Sequence, residues 1–204
     1  MFLYNESIFY WFKDNAEKLL FEHSLDEKSI VVDAGAYQGN WSSMIYKKYQ
    51  CNVLSYEPVK KHFLVLQKRM KKFKKINVYN YGIGKIDQSI GVKLKGVQTS
   101  AVNQVDNPDE IVIIKSIDNI EELKDIKIDL FHINIEGGEY ALLDAIIESS
   151  MIEKIKTLEV QFHEWYPTIK LSKSLRKRIH QNLLHTHQLV YSYDFVWEQW
   201  SKIK

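Results

Sequence analysis

The chain has 204 residues, 45% of them hydrophobic, 13% aromatic and 26% charged. That profile excludes a disordered, collagenous or fibrous protein and suits one globular unit with its own core. Twenty-eight Lys and Arg against 26 Asp and Glu leave a formal charge of +2, too balanced to imply a nucleic-acid partner by itself. The single cysteine, Cys51, cannot form an internal disulfide and points to a reducing compartment. No apolar run reaches the roughly 18 residues of a membrane span, and polar residues interrupt the N-terminal aromatics as no secretory signal allows. The expectation is a cytoplasmic protein with a single domain over 1–204, residues 1–25 being an N-terminal helix appended to the core.

Charge is unevenly placed. Residues 47–75 carry ten Lys or Arg against one acid, Glu57, while residues 106–159 carry fourteen acids against five lysines. A lysine-rich stretch is most simply a solvated helix face; the sharper alternative is a surface for an anionic partner.

In chain order, Ile8, Phe12, Ala16 and Leu19/Leu20 recur at helical spacing behind a cap at Asn5 or Ser7. Residues 29–33 form a short β-branched run stopped by Gly35, a buried strand. A helix follows Gly39 to about Tyr49, then a second strand, 52–56, ends at Glu57-Pro58. Phe63, Leu66, Met70 and Phe73 mark an amphipathic helix whose other face holds the lysines, and 76–80 is a third strand. The strand–helix rhythm breaks between about Gln88 and Asp118, where Ile90, Val92, Leu94 and Ile111, Ile113 alternate as an inserted hairpin would. It resumes with a strand over 128–135, a helix marked by Tyr140, Leu143 and Ile147, a strand over 156–162 and a helix marked by Leu171, Leu175, Ile179 and Leu183. Residues 188–193 and 195–200 read as a closing antiparallel pair. The pattern predicts an α/β fold with a doubly wound, Rossmann-like sheet, mostly parallel with an antiparallel edge strand, plus the hairpin insertion.

Two features suggest a nucleoside ligand. Asp33-Ala34-Gly35-Ala36-Tyr37-Gln38-Gly39 joins a strand to a helix, where glycines permit positive φ and close backbone approach. Its spacing is not the G-x-G-x-x-G of a pyrophosphate site, and an acid at the mouth of the crevice would favour an ammonium over a phosphate. Glu57 ends the next strand, the position from which a carboxylate can hold a ribose diol. A cationic nucleoside such as S-adenosylmethionine suits both acids better than NAD.

These residues resemble the FkbM-type family of S-adenosylmethionine-dependent methyltransferases over about Ile30 to Tyr166. Residues 31–39 are similar to its cofactor motif, Tyr56-Glu57-Pro58 to its ribose-binding strand end, and Tyr81-Gly82-Ile83-Gly84 to the turn against adenine. Residues 116–120 resemble its T-x-D-x-x segment, 133–139 its K-x-D-x-E-G-x-E hallmark, and Leu158-Glu159 with His163 the strand that follows. The resemblance implies S-adenosylmethionine held by Asp33, Gly35, Ala36, Tyr37, Gln38, Gly39, Glu57, Tyr81, Gly82 and Ile83. Asn134 stands where the family usually has aspartate and His132 where it usually has lysine; an amide orients a hydroxyl but cannot take its proton. Strand alternation puts Asn134 and Glu136 on one side, with His132 sharing that face. The expected catalytic residues are Asn134, Glu136 and His163, the last two as candidate bases. The histidines show no metal spacing.

The expected activity is therefore methyl transfer to a hydroxyl of a sugar or other small molecule, with nucleic acid an unlikely partner and no membrane span. The alternatives are an inactive methyltransferase-like binding module, which Asn134 would suit, and an RNA methyltransferase, which the basic helix would suit.

Overall fold

The computed structural model describes residues 6–94, 106–164 and 168–203. Residues 95–105 of the insertion, and Tyr166 at the end of the family-like stretch, lie outside them.

A seven-stranded sheet runs through the molecule in the order β3-β2-β1-β7-β8-β10-β9. Its strands are β1 (Ile30–Ala34), β2 (Asn52–Tyr56), β3 (Ile76–Tyr79), β7 (Leu130–Ile133), β8 (Thr157–Val160), β9 (His187–Tyr193) and β10 (Trp197–Lys202). β1 pairs in parallel with β2 and β7, whereas β10 runs antiparallel to both β8 and β9, so the reversed strand sits one place in from the edge. Strand order reverses direction at β1, and the crevice beyond the carboxyl ends of β1 and β7 is the topological switch point where ligands of such sheets bind.

Helices cover both faces: α2 (Asn40–Tyr49), α3 (Lys60–Met70), α4 (Glu139–Glu148) and α5 (Ile169–Leu183). Val31, Val53, Ile45, Leu66 and Met70 form one buried cluster, and Val32, Phe131, Ile133, Leu143, Ile146, Leu158 and Trp200 belong to the larger cluster opposite. Alternation along β1 thus feeds both layers, as a sheet buried on two sides requires.

The insertion is a second sheet in the order β4-β6-β5, built from β4 (Gly82–Gly84), β5 (Gln88–Val92) and β6 (Glu110–Ser116). Its inward residues are Ile90, Val92, Val112 and Ile114, packed on Val59. The hairpin is where the sequence placed it, but β6 has the opposite phase: Ile111 and Ile113 are exposed. Both phases of Glu110–Ser116 are apolar, so alternation could not choose the face; the register Ile90↔Val112 does.

The N-terminal segment also differs from expectation. α1 (Glu6–Lys13) ends before Asn15, whose φ of 51° breaks the helix, and Ala16–Phe21 is a separate 3-10 turn. Ile8 and Phe12 are exposed, while Trp11 is buried edge-on against Tyr193 at 5.2 Å. Burying that indole stabilises the docking of α1 on β9 by on the order of 4 kcal/mol.

Candidate functional site

A cavity of about 920 Å³ opens beyond the carboxyl ends of the parallel strands. Of the thirteen residues expected to form the site, Gly35, Tyr37, Glu57, Gly82, Ile83, Asn134, Glu136 and His163 line it. Asp33, Ala36, Gln38, Gly39 and Tyr81 do not.

Glu57 is the best-defined of them. It is 5% exposed, and its carboxylate bridges two walls: Tyr37 N–H donates to Oε2 at 2.9 Å and Val59 N–H to Oε1 at 2.8 Å. Each oxygen keeps a lone pair for a further donor. Burial pushes its pKa up to about 7, against the lowering effect of those two N–H groups. His62, in the first turn of α3, lies with Nδ1 3.9 Å from Glu57 Oε1 and edge-on to Tyr37 at 4.4 Å. Sequence reading passed over His62, because one histidine in a lysine-rich helix carries no signal until the helix places it beside Glu57.

Gly35 serves chain approach. At φ +89°, a Cβ there would stand 2.0 Å from the backbone oxygen of Asn134, so the ends of β1 and β7 can meet only over glycine. Gly39, at φ +79°, faces Leu66 and Met70 of α3; it allows α2 to pack and does not face the cavity. Three non-glycine residues with left-handed backbone also line the cavity, Tyr37 (φ 50°), Glu136 (φ 51°) and Phe195 (φ 57°). Such strain, of order 1 kcal/mol each, concentrates where surrounding structure imposes a side-chain direction.

Asp33 is not at the mouth. It is 1% exposed, accepts a short hydrogen bond from Ser42 Oγ, and is pushed up to about 7 by burial. Its side chain belongs to the sheet–α2 layer and ties α2 to β1. His132 likewise leaves the expected face. Its ring is stacked between Trp41 (3.9 Å) and Trp197 (4.8 Å), with Nδ1 2.7 Å from Glu159 Oε2. Burial holds His132 well below and Glu159 well above their usual ranges, so this is a neutral pair inside the core. The period-two rule fails to extend to the cavity because β7 ends at Ile133 and Glu136 has a positive φ.

Asn134 and Glu136 still meet in the cavity. Asn134 Oδ1 is buried there with no hydrogen-bond partner, an acceptor that a bound donor would satisfy. His163 completes the group. Its Nε2 is 3.5 Å from Glu136 Oε2 and its Nδ1 is 3.2 Å from Glu139 Oε1. Glu139 is fully buried and also accepts from the backbone N–H groups of His163 (2.7 Å) and Gly137 (2.8 Å). Burial opposes the imidazolium, but the two carboxylates outweigh it and raise the His163 pKa to about 9. The pair of carboxylates thus favours the imidazolium, a departure from the expectation of an ordinary histidine pKa.

The residues present fit a cationic nucleoside. Glu57 offers lone pairs for ribose hydroxyls, Asn134 Oδ1 is an unused acceptor, and Gly82 and Gly84 line the cavity without side chains of their own.

Known proteins share this fold. A candidate rRNA methylase from Clostridium thermocellum superposes with a TM-score of 0.60 at 10% identity, over 94% of this chain and 97% of that one. An rRNA methylase from Streptococcus thermophilus gives 0.55 at 12% identity, over 93% and 95%. A candidate methyltransferase from Streptococcus mutans, solved in complex with SAH, gives 0.57 at 10% identity, over 93% and 97%. At such identities these likenesses establish a shared fold. No curated protein matches the sequence. The methyltransferase FkbM domain, however, matches residues 33–193, from the buried acid of β1 through Glu57 and the Asn134–His163 group to the end of β9. With well over half its length inside that match, the chain belongs to the FkbM methyltransferase family.

Proposed function

We propose that the protein is an O-methyltransferase that uses S-adenosylmethionine to methylate a hydroxyl of a small-molecule acceptor, a sugar or another hydroxyl compound. The family assigns methyl transfer with this cofactor; the single observation carrying the site assignment is Glu57, buried at the end of β2 with two oxygens that each retain a lone pair. Glu57 would hold the ribose hydroxyls.

S-adenosylmethionine, when bound, would supply an electrophilic methyl on sulfur, so that the acceptor oxygen gains an O–C bond as the S–C bond's electron pair stays with sulfur. The chain's own residues align the hydroxyl, exclude water and receive its proton. Asn134 orients the hydroxyl, and Glu136 receives the proton. His163, as an imidazolium anchored by Glu139, is a positioning residue that fixes the direction of Glu136 and balances its charge.

A small acceptor is favoured over RNA by the cavity's charge. Glu57, Glu136 and Glu164 line it, the last two paired with His163 and Lys173, and Lys85 is paired with Glu148 at 2.7 Å, which leaves no unpaired lysine or arginine among the described lining residues to meet a phosphate. Carboxylates repel a phosphodiester backbone. The lysines of α3 are the observation behind the second reading, an RNA acceptor.

Calorimetry with S-adenosylhomocysteine tests the assignment. Wild type should bind, and Glu57→Gln, which keeps the shape but replaces one acceptor oxygen by an NH2, should weaken binding by roughly tenfold or more. Equal affinities would place the ribose elsewhere.

A further inference from the structure

Two apolar walls of the cavity come from outside the family's span of 33–193: Ile8 of α1 and Phe195 of the β9–β10 turn. Both are held in place by other residues. Trp11 anchors α1 against Tyr193, whose hydroxyl donates to Asp14 Oδ2 at 3.0 Å. Ile8, about one helical turn before Trp11, is therefore left to reach the cavity. Phe195 has a φ of 57°, a conformation costly for a bulky residue and easily relieved by Gly or Asn if the turn were only a connection. The Arg176 guanidinium lies 5.1 Å from the Phe195 ring and is fixed in turn by Glu198 and by Asp194 at 2.7 Å. The register Glu198↔Val160 puts this turn beyond the carboxyl end of β8, on the His163 side of the cavity and away from Glu57.

Among the described residues, the polar groups at that end are few and mostly engaged. Glu136 pairs with His163, and Glu164 pairs with Lys173 at 2.9 Å. Among the described residues, what remains there is Asn134, whose buried Oδ1 has no hydrogen-bond partner, and Gln161, enough to recognise one or two polar groups. An acceptor ringed with hydroxyls would press the others against Ile8 and Phe195, at about 1–3 kcal/mol for each group left unpaired.

Resting on the methyltransferase reading above, we propose that the acceptor is phenol-like, one hydroxyl on an apolar ring, and that Ile8 and Phe195 are the specificity-determining walls that seat the ring while the hydroxyl faces Asn134 and Glu136. The phenolic oxygen would take the methyl as the S–C bond breaks towards sulfur, and the phenolic proton passes to Glu136.

The test uses the full chain loaded with S-adenosylhomocysteine, titrated calorimetrically with 4-propylphenol, methyl glucoside and a short RNA. 4-Propylphenol should bind in preference. Phe195→Asn, which suits the left-handed φ, and Ile8→Gln, on an exposed helix, should each weaken it about tenfold, the scale of lost apolar pocket contact. Both variants should keep S-adenosylhomocysteine affinity and melting temperature, and with S-adenosylmethionine should raise KM for the phenol with kcat nearly retained. Preference for the glucoside or RNA, or variants that bind the phenol as wild type does, would overturn the assignment of the acceptor while leaving the cofactor reading intact. Failure of wild type to bind S-adenosylhomocysteine would overturn both.

Discussion

The Nε2 atom of His163 lies 3.5 Å from Oε2 of Glu136, and Glu139 holds the other ring nitrogen at 3.2 Å. On the proposed mechanism Glu136 receives the acceptor's proton and His163 positions it. Glu136→Gln is expected to lower turnover by roughly 10²-fold or more with cofactor affinity within a few fold. His163→Gln should lower it less, because a positioning cation is lost and no base. Single-turnover rates would separate the two; an equal loss in both variants would return His163 to a direct role in proton transfer.

The same pair predicts a pH dependence of stability. The folded pKa of His163, about 9, lies above its unfolded value near 6.5. Its contribution is therefore fully present below pH 6.5 and disappears as pH rises through 9, with a full size of about 3 kcal/mol. The melting-temperature gap between wild type and His163→Gln should be widest near pH 6 and nearly closed by pH 9.5. A gap that stays constant over that range would mean the ring is not protonated in the fold.

Glu57 has the opposite consequence for binding. Burial raises its pKa to about 7, so part of the population is protonated at neutral pH, and ionisation as pH rises through 7 improves it as an acceptor for hydroxyl donors. S-adenosylhomocysteine affinity should increase several-fold between pH 6 and 8 in wild type. In Glu57→Gln that increase should flatten, which titration at three pH values would measure.

Gly35 and Gly39 both have positive φ, but their surroundings differ. A Cβ on Gly35 meets backbone, Asn134 O at 2.0 Å, whereas one on Gly39 meets the flexible ends of Leu66 and Met70 at 2.6 and 2.8 Å. Gly35→Ala should cost about 3–5 kcal/mol, the sum of left-handed strain and a clash that backbone cannot relieve. Gly39→Ala should cost about 1–2 kcal/mol, mostly strain. Denaturant unfolding would rank them.

The lysines in and just after α3 supply the last check. Lys75 donates to the carbonyls of Glu27 and Gln50, so its loss is structural, but Lys68 and Lys71 are exposed. Reversing both should change stability by no more than about 0.5 kcal/mol and leave S-adenosylhomocysteine affinity unchanged. RNA binding that weakens in the double variant and falls steeply with salt would favour the RNA acceptor.

Local pattern was enough to place β1, the glycine turn, β2 with Glu57 at its end and the Asn134–Glu139 segment, because each is a short apolar strand stopped by a residue with one conformational purpose. The FkbM-like motifs lie at those stops, which is why the family was visible in the amino-acid order alone. Side-chain direction after a strand ends was not. His132 and Asn134 have the same parity, yet one is sandwiched by Trp41 and Trp197 and the other lines the cavity, since alternation holds only while the strand continues. Asp33 looked like a charge at a mouth until Ser42, nine residues later, was seen to cover it. The charge of His163, the place of His62 beside Glu57, the inward phase of β6 and the walls made by Ile8 and Phe195 all depend on partners distant in sequence. Burial and proximity set those properties, and both exist only once the sheet has brought the segments together.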